Sequence, residues 1–225
     1  MTSTFDLNGL TITWLGHASF LIKNEKIIYI DPFVLPKQAE KADYILVTHE
    51  HYDHCDAQKI NQIRKESTIV IAAKGCEKNL GSNMVGMKAG DVYKHEGMEV
   101  EAVHAYNVNK FRSPGNPFHP KGLGVGFILE INGKKIYHAG DTDHIQEMHE
   151  LREKNIDIAL LPVGGTYTMT AQEAAEAAAE IKPKFLIPMH YKSDKYGLQL
   201  NNDLTPLAKG LAGKGVVLKI LEPLV

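Results

Sequence analysis

Cysteine is nearly absent from this 225-residue chain, which has only Cys55 and Cys76. Two thiols cannot build a disulfide scaffold or a metal site made of cysteine alone, and their scarcity fits a reducing compartment. An excess charge of one sign is missing too. The 25 Lys and Arg against 27 Asp and Glu leave a formal net charge of −2, so no global field draws the chain to nucleic acid or to an anionic membrane. Long apolar runs are lacking: Ile158 to Val163 is far short of the ~20 residues a membrane-spanning helix needs. Met1 to Gly9 has neither the basic start nor the apolar stretch of a signal peptide, and a cytoplasmic location is expected. There is no low-complexity run and no Pro/Ser linker, so one domain over residues 1–225 is expected. A chain of this size hides about 70% of its unfolded surface. With 44% hydrophobic and 23% charged residues, disorder is excluded.

What the chain has in plenty is histidine, eleven in all. Their placement follows the strand pattern. Leu10–Leu15, Ser19–Lys23 and Ile27–Ile30 read as short strands, and Asp31-Pro32 ends the third. Ala42–Thr48 is a continuous apolar run, as expected of a strand buried on both faces. A helix over Asp56–Lys65 and a strand over Thr68–Ala72 follow. The second half repeats the scheme. Glu99–Tyr106, Val125–Ile131 and Lys134–His138 read as strands, the last two joined by an Asn132-Gly133 hairpin turn. Next come a helix at Ile145–Lys154 and a strand at Asp157–Val163. The capping box Thr170-x-x-Glu173 starts an Ala-rich helix that runs to Ile181. Lys184–Pro188 and Val216–Leu221 read as strands around a helix at Leu204–Leu211. Tyr106–Gly122 lacks periodicity, and loops of that length in compact domains tend to be functional.

Chemistry concentrates where the buried run Ala42–Thr48 ends. His49-Glu50-His51-Tyr52-Asp53-His54 places four potential ligands within six positions at a strand-to-helix corner, and imidazole and carboxylate are donors zinc accepts. A solvated, His-rich turn would explain one such histidine but not three with an aspartate. Two further strands end in ligand-type residues: His138-Ala139-Gly140-Asp141, and Met189-His190. Alone, Asp141 would read as a helix cap and His190 as a core histidine; together with the first cluster they point to one site. Rival motifs fail on context. Position 53 breaks an HExxH pattern. Gly122, Gly124 and Gly126 precede a strand rather than open a helix, so close backbone packing explains them better than a dinucleotide loop. Cys55 reads as a small buried residue.

HEHYDH resembles the HxHxDH signature of the metallo-β-lactamase superfamily, and HAGDT and IPMHY resemble its later ligand motifs. The opening TWLGHASFLI…IYIDPF is similar to the small stand-alone hydrolases of that superfamily, including the ascorbate-phosphate lactonase-like group. The resemblance covers nearly the whole chain. It implies an α+β fold, a four-layer αββα sandwich, with a two-metal site along one edge. Carried over residue by residue, His49 and His51 would hold the first ion. Asp53, His54 and His190 would hold the second, and Asp141 would bridge. The position usually occupied by the first ion's remaining histidine falls here on Asn107. His119, in the AYN…FHPK arrangement, is favoured over His104 for that role. Strand alternation turns His104 to the face opposite Asn107, and Pro117 and Pro120 restrict the loop that carries His119. His17 and Asp31 would lie near the site, either holding strand ends and ligands or acting in catalysis.

The resemblance implies a hydrolase. Two divalent ions, zinc first, with manganese or iron as alternatives, would share and activate a water. Asp53 would hold that water while ligating the second ion, and an ester-type bond would be cut: a phosphoester, a phosphodiester or a lactone. The rival reading is a metal-binding sensor or scaffold without turnover, disfavoured because a structural zinc site closes with four ligands. Residues 107–121 carry Lys110, Arg112 and Lys121 and no acid. A basic mouth is therefore expected, suited to a small anionic substrate. A membrane or nucleic-acid partner is not expected, and nothing in the sequence speaks to oligomeric state.

Overall fold

The computed structural model describes residues 2–225. The first sheet holds β1 (Thr4–Leu7), β2 (Leu10–Gly16), β3 (Ser19–Lys23), β4 (Ile27–Ile30), β5 (Tyr44–Val47), β6 (Ile69–Ala73) and β7 (Val85–Met87), in chain order. The second sheet begins with β8 (Val92–His95) and β9 (Met98–Ala105). A small separate hairpin, β10 (Phe111–Ser113) and β11 (Asn116–Pro117), follows. The second sheet then resumes with β12 (Gly124–Ile131), β13 (Lys134–His138), β14 (Ile158–Pro162), β15 (Phe185–Met189) and β16 (Val217–Leu218). Each sheet is antiparallel on one side and parallel on the other, the parallel pairs being β4 to β7 and β13 to β16. One apolar core spans both sheets, with Trp14, Phe20, Tyr29, Phe127 and Tyr137 fully buried in it. The helices are α1 (Ala57–Ile63), α2 (Glu77–Leu80), α3 (Ala171–Ile181) and α4 (Thr205–Leu211). The fold is the α+β metallo-β-lactamase sandwich.

Local signals account for much of this. Asn132-Gly133 turns with both φ angles positive, 51° and 66°, as a tight β-hairpin requires. Asn8-Gly9 turns the same way, φ 53° and 85°, and attaches β1, an edge strand the apolar pattern did not reveal because its residues are half exposed. Thr170 and Glu173 form the reciprocal capping box of α3. The expected helix at Ile145–Lys154 is instead a 3-10 helix, Gln146–Lys154. Its buried residues are Met148 and Leu151, which with the buried N-cap residue Ile145 keep a spacing of three that matches the three-residue turn of that helix. The expected last strand, Val216–Leu221, shrinks to Val217–Leu218. Gly124 and Gly126 behave as packing residues. A Cβ on Gly126 would lie 3.0 Å from the Ala139 carbonyl oxygen, and one on Gly124 would lie 3.0 Å from the His49 Cβ.

Candidate metal centre

The site grows from the C-terminal ends of parallel strands, the usual place for ligands in such sheets. β5 runs into Thr48-His49, β4 into Asp31, β13 into Gly140-Asp141 and β15 into His190. Three of the turning residues have left-handed backbones: His17 (φ 52°), Asp31 (φ 45°) and His190 (φ 56°). Such conformations cost about 1–3 kcal/mol each outside glycine and persist where surrounding structure holds them. Here they swing side chains off the strand line toward a common point.

His49 Nε2 lies 3.1 Å from His51 Nδ1, which in turn lies 3.2 Å from His119 Nε2. Asp141 joins this group to a second one. Its Oδ2 is 3.2 Å from His119 Nε2 and 3.1 Å from His190 Nε2, and its Oδ1 is 3.4 Å from His54 Nε2. Asp53 Oδ2 sits 3.9 Å from His54 Nε2. The structure thus brings together His49, His51, Asp53, His54, His119, Asp141 and His190. His104 stays out: it pairs with Val125 across β9 and β12, and its ring meets the edge of Tyr106. His138 also stays out, held between the Ala18 carbonyl and the Gly140 amide.

The arrangement fits metal ions. Two donors bound to one zinc ion at 2.0–2.2 Å, at angles of 90–110°, lie about 2.8–3.6 Å apart. His54 Nε2, both nitrogens of His190 and Asp141 Oδ1 are buried with no hydrogen-bond partner. A buried polar atom left unsatisfied costs roughly 1–3 kcal/mol; a cation shared by such atoms removes that cost. Burial, reinforced by the nearby His54, holds His49 well below its usual pKa and hence neutral, the form that donates a lone pair. Burial opposes charge on His54 as well, but the carboxylates of Asp141 and Asp31 outweigh it and raise the pKa well above the usual value. Burial likewise opposes ionisation of Asp141, and His190 and His54 overcome it to hold the carboxyl well below its usual range. The Asp141 and Asp31 carboxylates thus favour positive charge at His54.

Hydrogen bonds fix which nitrogen of His49, His54 and His119 faces inward. Asp31, fully buried, accepts from the Thr48 amide (2.7 Å), the Thr48 hydroxyl (2.6 Å) and His54 Nδ1 (2.7 Å). The Thr48 hydroxyl, its proton committed to Asp31, accepts from His49 Nδ1 at 3.0 Å. One carboxylate therefore directs the Nε2 lone pairs of both His49 and His54 into the centre. Asn107 does the same for His119: its Oδ1 accepts from the His119 amide and from His119 Nδ1, both at 2.8 Å. Asn107, at the position where the family resemblance places a histidine, orients the histidine that replaces it. Asn107 is itself held by Asp143, which also binds the amides of Val108 and Asn109. Sequence reasoning passed over Asp143, Thr48 and the role of Asn107, since no short-range pattern marks them.

A cavity of about 400 Å³ opens beside the cluster, lined among others by Tyr52, Asp53, Arg112, Phe118, Tyr167 and Leu198. Arg112 lies over the Phe118 ring at 5.2 Å, with no carboxylate in ion-pair reach among the described residues. The expected basic mouth is otherwise corrected. Lys110 is bound to Glu173 at 2.9 Å and Lys121 to Glu147 at 2.6 Å, and neither lines the cavity. The acids that neutralise them come from α3 and the 3-10 helix, outside the loop whose sequence holds none.

A model of the β-lactamase superfamily domain matches residues 11–190. The chain belongs to the metallo-β-lactamase superfamily. It is 38% identical to the UPF0173 metal-dependent hydrolase of Thermoplasma acidophilum over 83% of this chain and 85% of that protein. It is 34% identical to the UPF0173 metal-dependent hydrolase of Archaeoglobus fulgidus over 95% of this chain and 96% of that one. Among solved structures, Igni18, a metallo hydrolase from Ignicoccus hospitalis, is similar with a TM-score of 0.77, 26% identity and 95% of each chain covered. No helix among the described residues is long and apolar enough to cross a membrane.

Proposed function

We propose that the chain is a hydrolase that uses two divalent ions, zinc first, to cut an ester-type bond in a small anionic substrate. The observation that carries this is Asp141, which stands between the two histidine groups: Oδ2 lies 3.2 Å from His119 and 3.1 Å from His190, and Oδ1 lies 3.4 Å from His54. His49, His51 and His119 would hold the first ion and Asp53, His54 and His190 the second, with Asp141 shared. Bound divalent ions would lower the pKa of water toward neutrality and polarise the scissile oxygen. Asp53 is 13% exposed and lines the cavity, so one of its oxygens can accept a hydrogen bond from an attacking water. Arg112 would anchor the substrate's anionic group, a phosphate or a carboxylate, with Phe118 fixing its guanidinium from below. A structural metal site has no need of an open cavity beside its donors.

The test is a screen of metal-reconstituted protein against phosphomonoesters, phosphodiesters and lactones. The expected result is turnover abolished by Asp53→Ala. Arg112→Gln should raise KM about tenfold for anionic substrates, the effect of about 1.4 kcal/mol, and leave neutral analogues unchanged. Fully loaded protein that cuts none of these classes would leave the sensor reading standing.

A further inference from the structure

We infer that His17 is a direct ligand of the second ion, which gives that ion one more protein donor than the family resemblance assigns. The inference rests on the metal centre proposed above. His17 lies on the turn between β2 and β3, far in sequence from the HEHYDH cluster, and its side chain is fully buried. Its Nε2 is 3.1 Å from Asp53 Oδ2, and one donor atom each from His17, Asp53, His54 and His190 falls within 4.8 Å of the others.

The proton positions decide between a ligand and a simple hydrogen bond. Ser193 Oγ lies 3.1 Å from the Tyr191 carbonyl oxygen, which can only accept, so the hydroxyl proton is directed there. Ser193 Oγ is then the acceptor for His17 Nδ1–H at 2.9 Å. That leaves the His17 Nε2 lone pair facing a carboxylate oxygen. Two acceptors at that distance repel unless a metal ion or a second ring proton lies between them, and the partnerless nitrogens of His54 and His190 beside them favour the metal. The alternative tautomer, with Nε2–H donating to Asp53, instead sets the Ser193 oxygen against the Tyr191 carbonyl with no proton between.

The relay repeats what three of the centre's other imidazoles do. His54 donates from Nδ1 to Asp31, His49 to the Thr48 hydroxyl and His119 to Asn107, and each turns Nε2 inward. Such outer hydrogen bonds are the usual mark of a metal-bound histidine. The His17 ring also packs against that of His190, at 4.1 Å between centroids. His17 contributes structure by its backbone as well, since its carbonyl accepts from the Trp14 indole and the His190 amide. Side-chain substitutions leave those bonds in place.

Metal content and zinc affinity of purified wild type, His17→Gln and Ser193→Ala test the assignment, with melting of the chelated proteins as the folding control. Ligation predicts that His17→Gln loses one equivalent, or about 100-fold or more in affinity at one site, and that Ser193→Ala weakens the same site by about 10–100-fold. In cadmium-loaded protein with isotopically labelled histidine, the His17 Nε2 resonance, assigned by its loss in His17→Gln, should show scalar coupling to cadmium. A positioning role alone gives no such coupling. If wild type binds two ions and His17→Gln keeps both at unchanged affinity, the assignment is overturned while the two-ion reading stands. If wild type binds one ion and His17→Gln loses it, the two-ion reading fails and His17 ligation stands. A single ion kept by His17→Gln refutes both. Absence of the cadmium coupling overturns the assignment whatever the stoichiometry.

Discussion

Asp31→Asn changes one atom's chemistry and almost no volume, which makes it the sharpest probe of how the centre is set. Asp31 Oδ2 accepts two hydrogen bonds, from the Thr48 hydroxyl and His54 Nδ1, and Oδ1 accepts one, from the Thr48 amide. An amide cannot satisfy all three donors. With its oxygen in the Oδ2 position, its NH2 faces the Thr48 N–H and leaves that buried donor unpaired. With its oxygen in the Oδ1 position, its NH2 faces His54 Nδ1 and drives the imidazole proton to Nε2, the atom that points into the centre. The second orientation disarms His54 as a ligand; the first leaves one buried donor unpaired, at a cost of roughly 1–3 kcal/mol. In a domain of this size that is a Tm loss of about 2–12 °C, at 2–4 °C per kcal/mol. The orienting partner of a metal-binding histidine is worth about 10–100-fold in affinity, so zinc should bind the second site that much more weakly. Calorimetric zinc titration alongside melting of the chelated protein measures both quantities. Wild-type zinc affinity at both sites in a folded Asp31→Asn protein would refute the claim that Asp31 sets the His54 tautomer.

His119→Ala should release one ion and free the loop, whereas His104→Ala, which removes only partly buried packing, should keep both ions and cost under about 1 kcal/mol; elemental analysis of the two variants decides, and the reverse pattern would make the strand histidine the ligand. Glu173 caps α3 and pairs with Lys110; its burial opposes ionisation, but the Thr170 amide and Lys110 overcome it and lower its pKa to about 2. Since the folded value lies below the unfolded one, its contribution is complete above about pH 4.5 and fades as pH falls toward 2. Glu173→Ala should therefore cost about 0.5–2 kcal/mol at neutral pH, and the gap from wild type in urea melts should close between pH 4.5 and 2; a constant gap would contradict the assignment. Chelation should lower the Tm of the wild type by several degrees, because at 100-fold saturation a bound ion adds about 2.7 kcal/mol, and should leave the Tm of Asp141→Ala nearly unmoved.

The sequence by itself determined the parts of this protein whose causes act over a few residues. Four donors packed into His49–His54 at the end of a buried strand converge almost regardless of what surrounds them, because one turn links them. The Asn132-Gly133 hairpin and the Thr170–Glu173 box are likewise local, and all formed as their residues dictate. Only the tertiary structure decided the rest. Strand alternation already favoured His119 over His104, but where His119 sits depends on Asp143 gathering the amides at 108 and 109, so that the chain returns to bring His119 onto Asn107. His17 meets Ser193 across 176 residues of sequence, a contact set by which strands neighbour one another. The charge of the cavity mouth was settled the same way. Lys110 and Lys121 read as free cations from their own loop, and are neutral pairs because Glu173 and Glu147 arrive from separate helices. Ion pairing and proton placement are properties of what the fold brings close, and sequence spacing carries no record of partners so far along the chain.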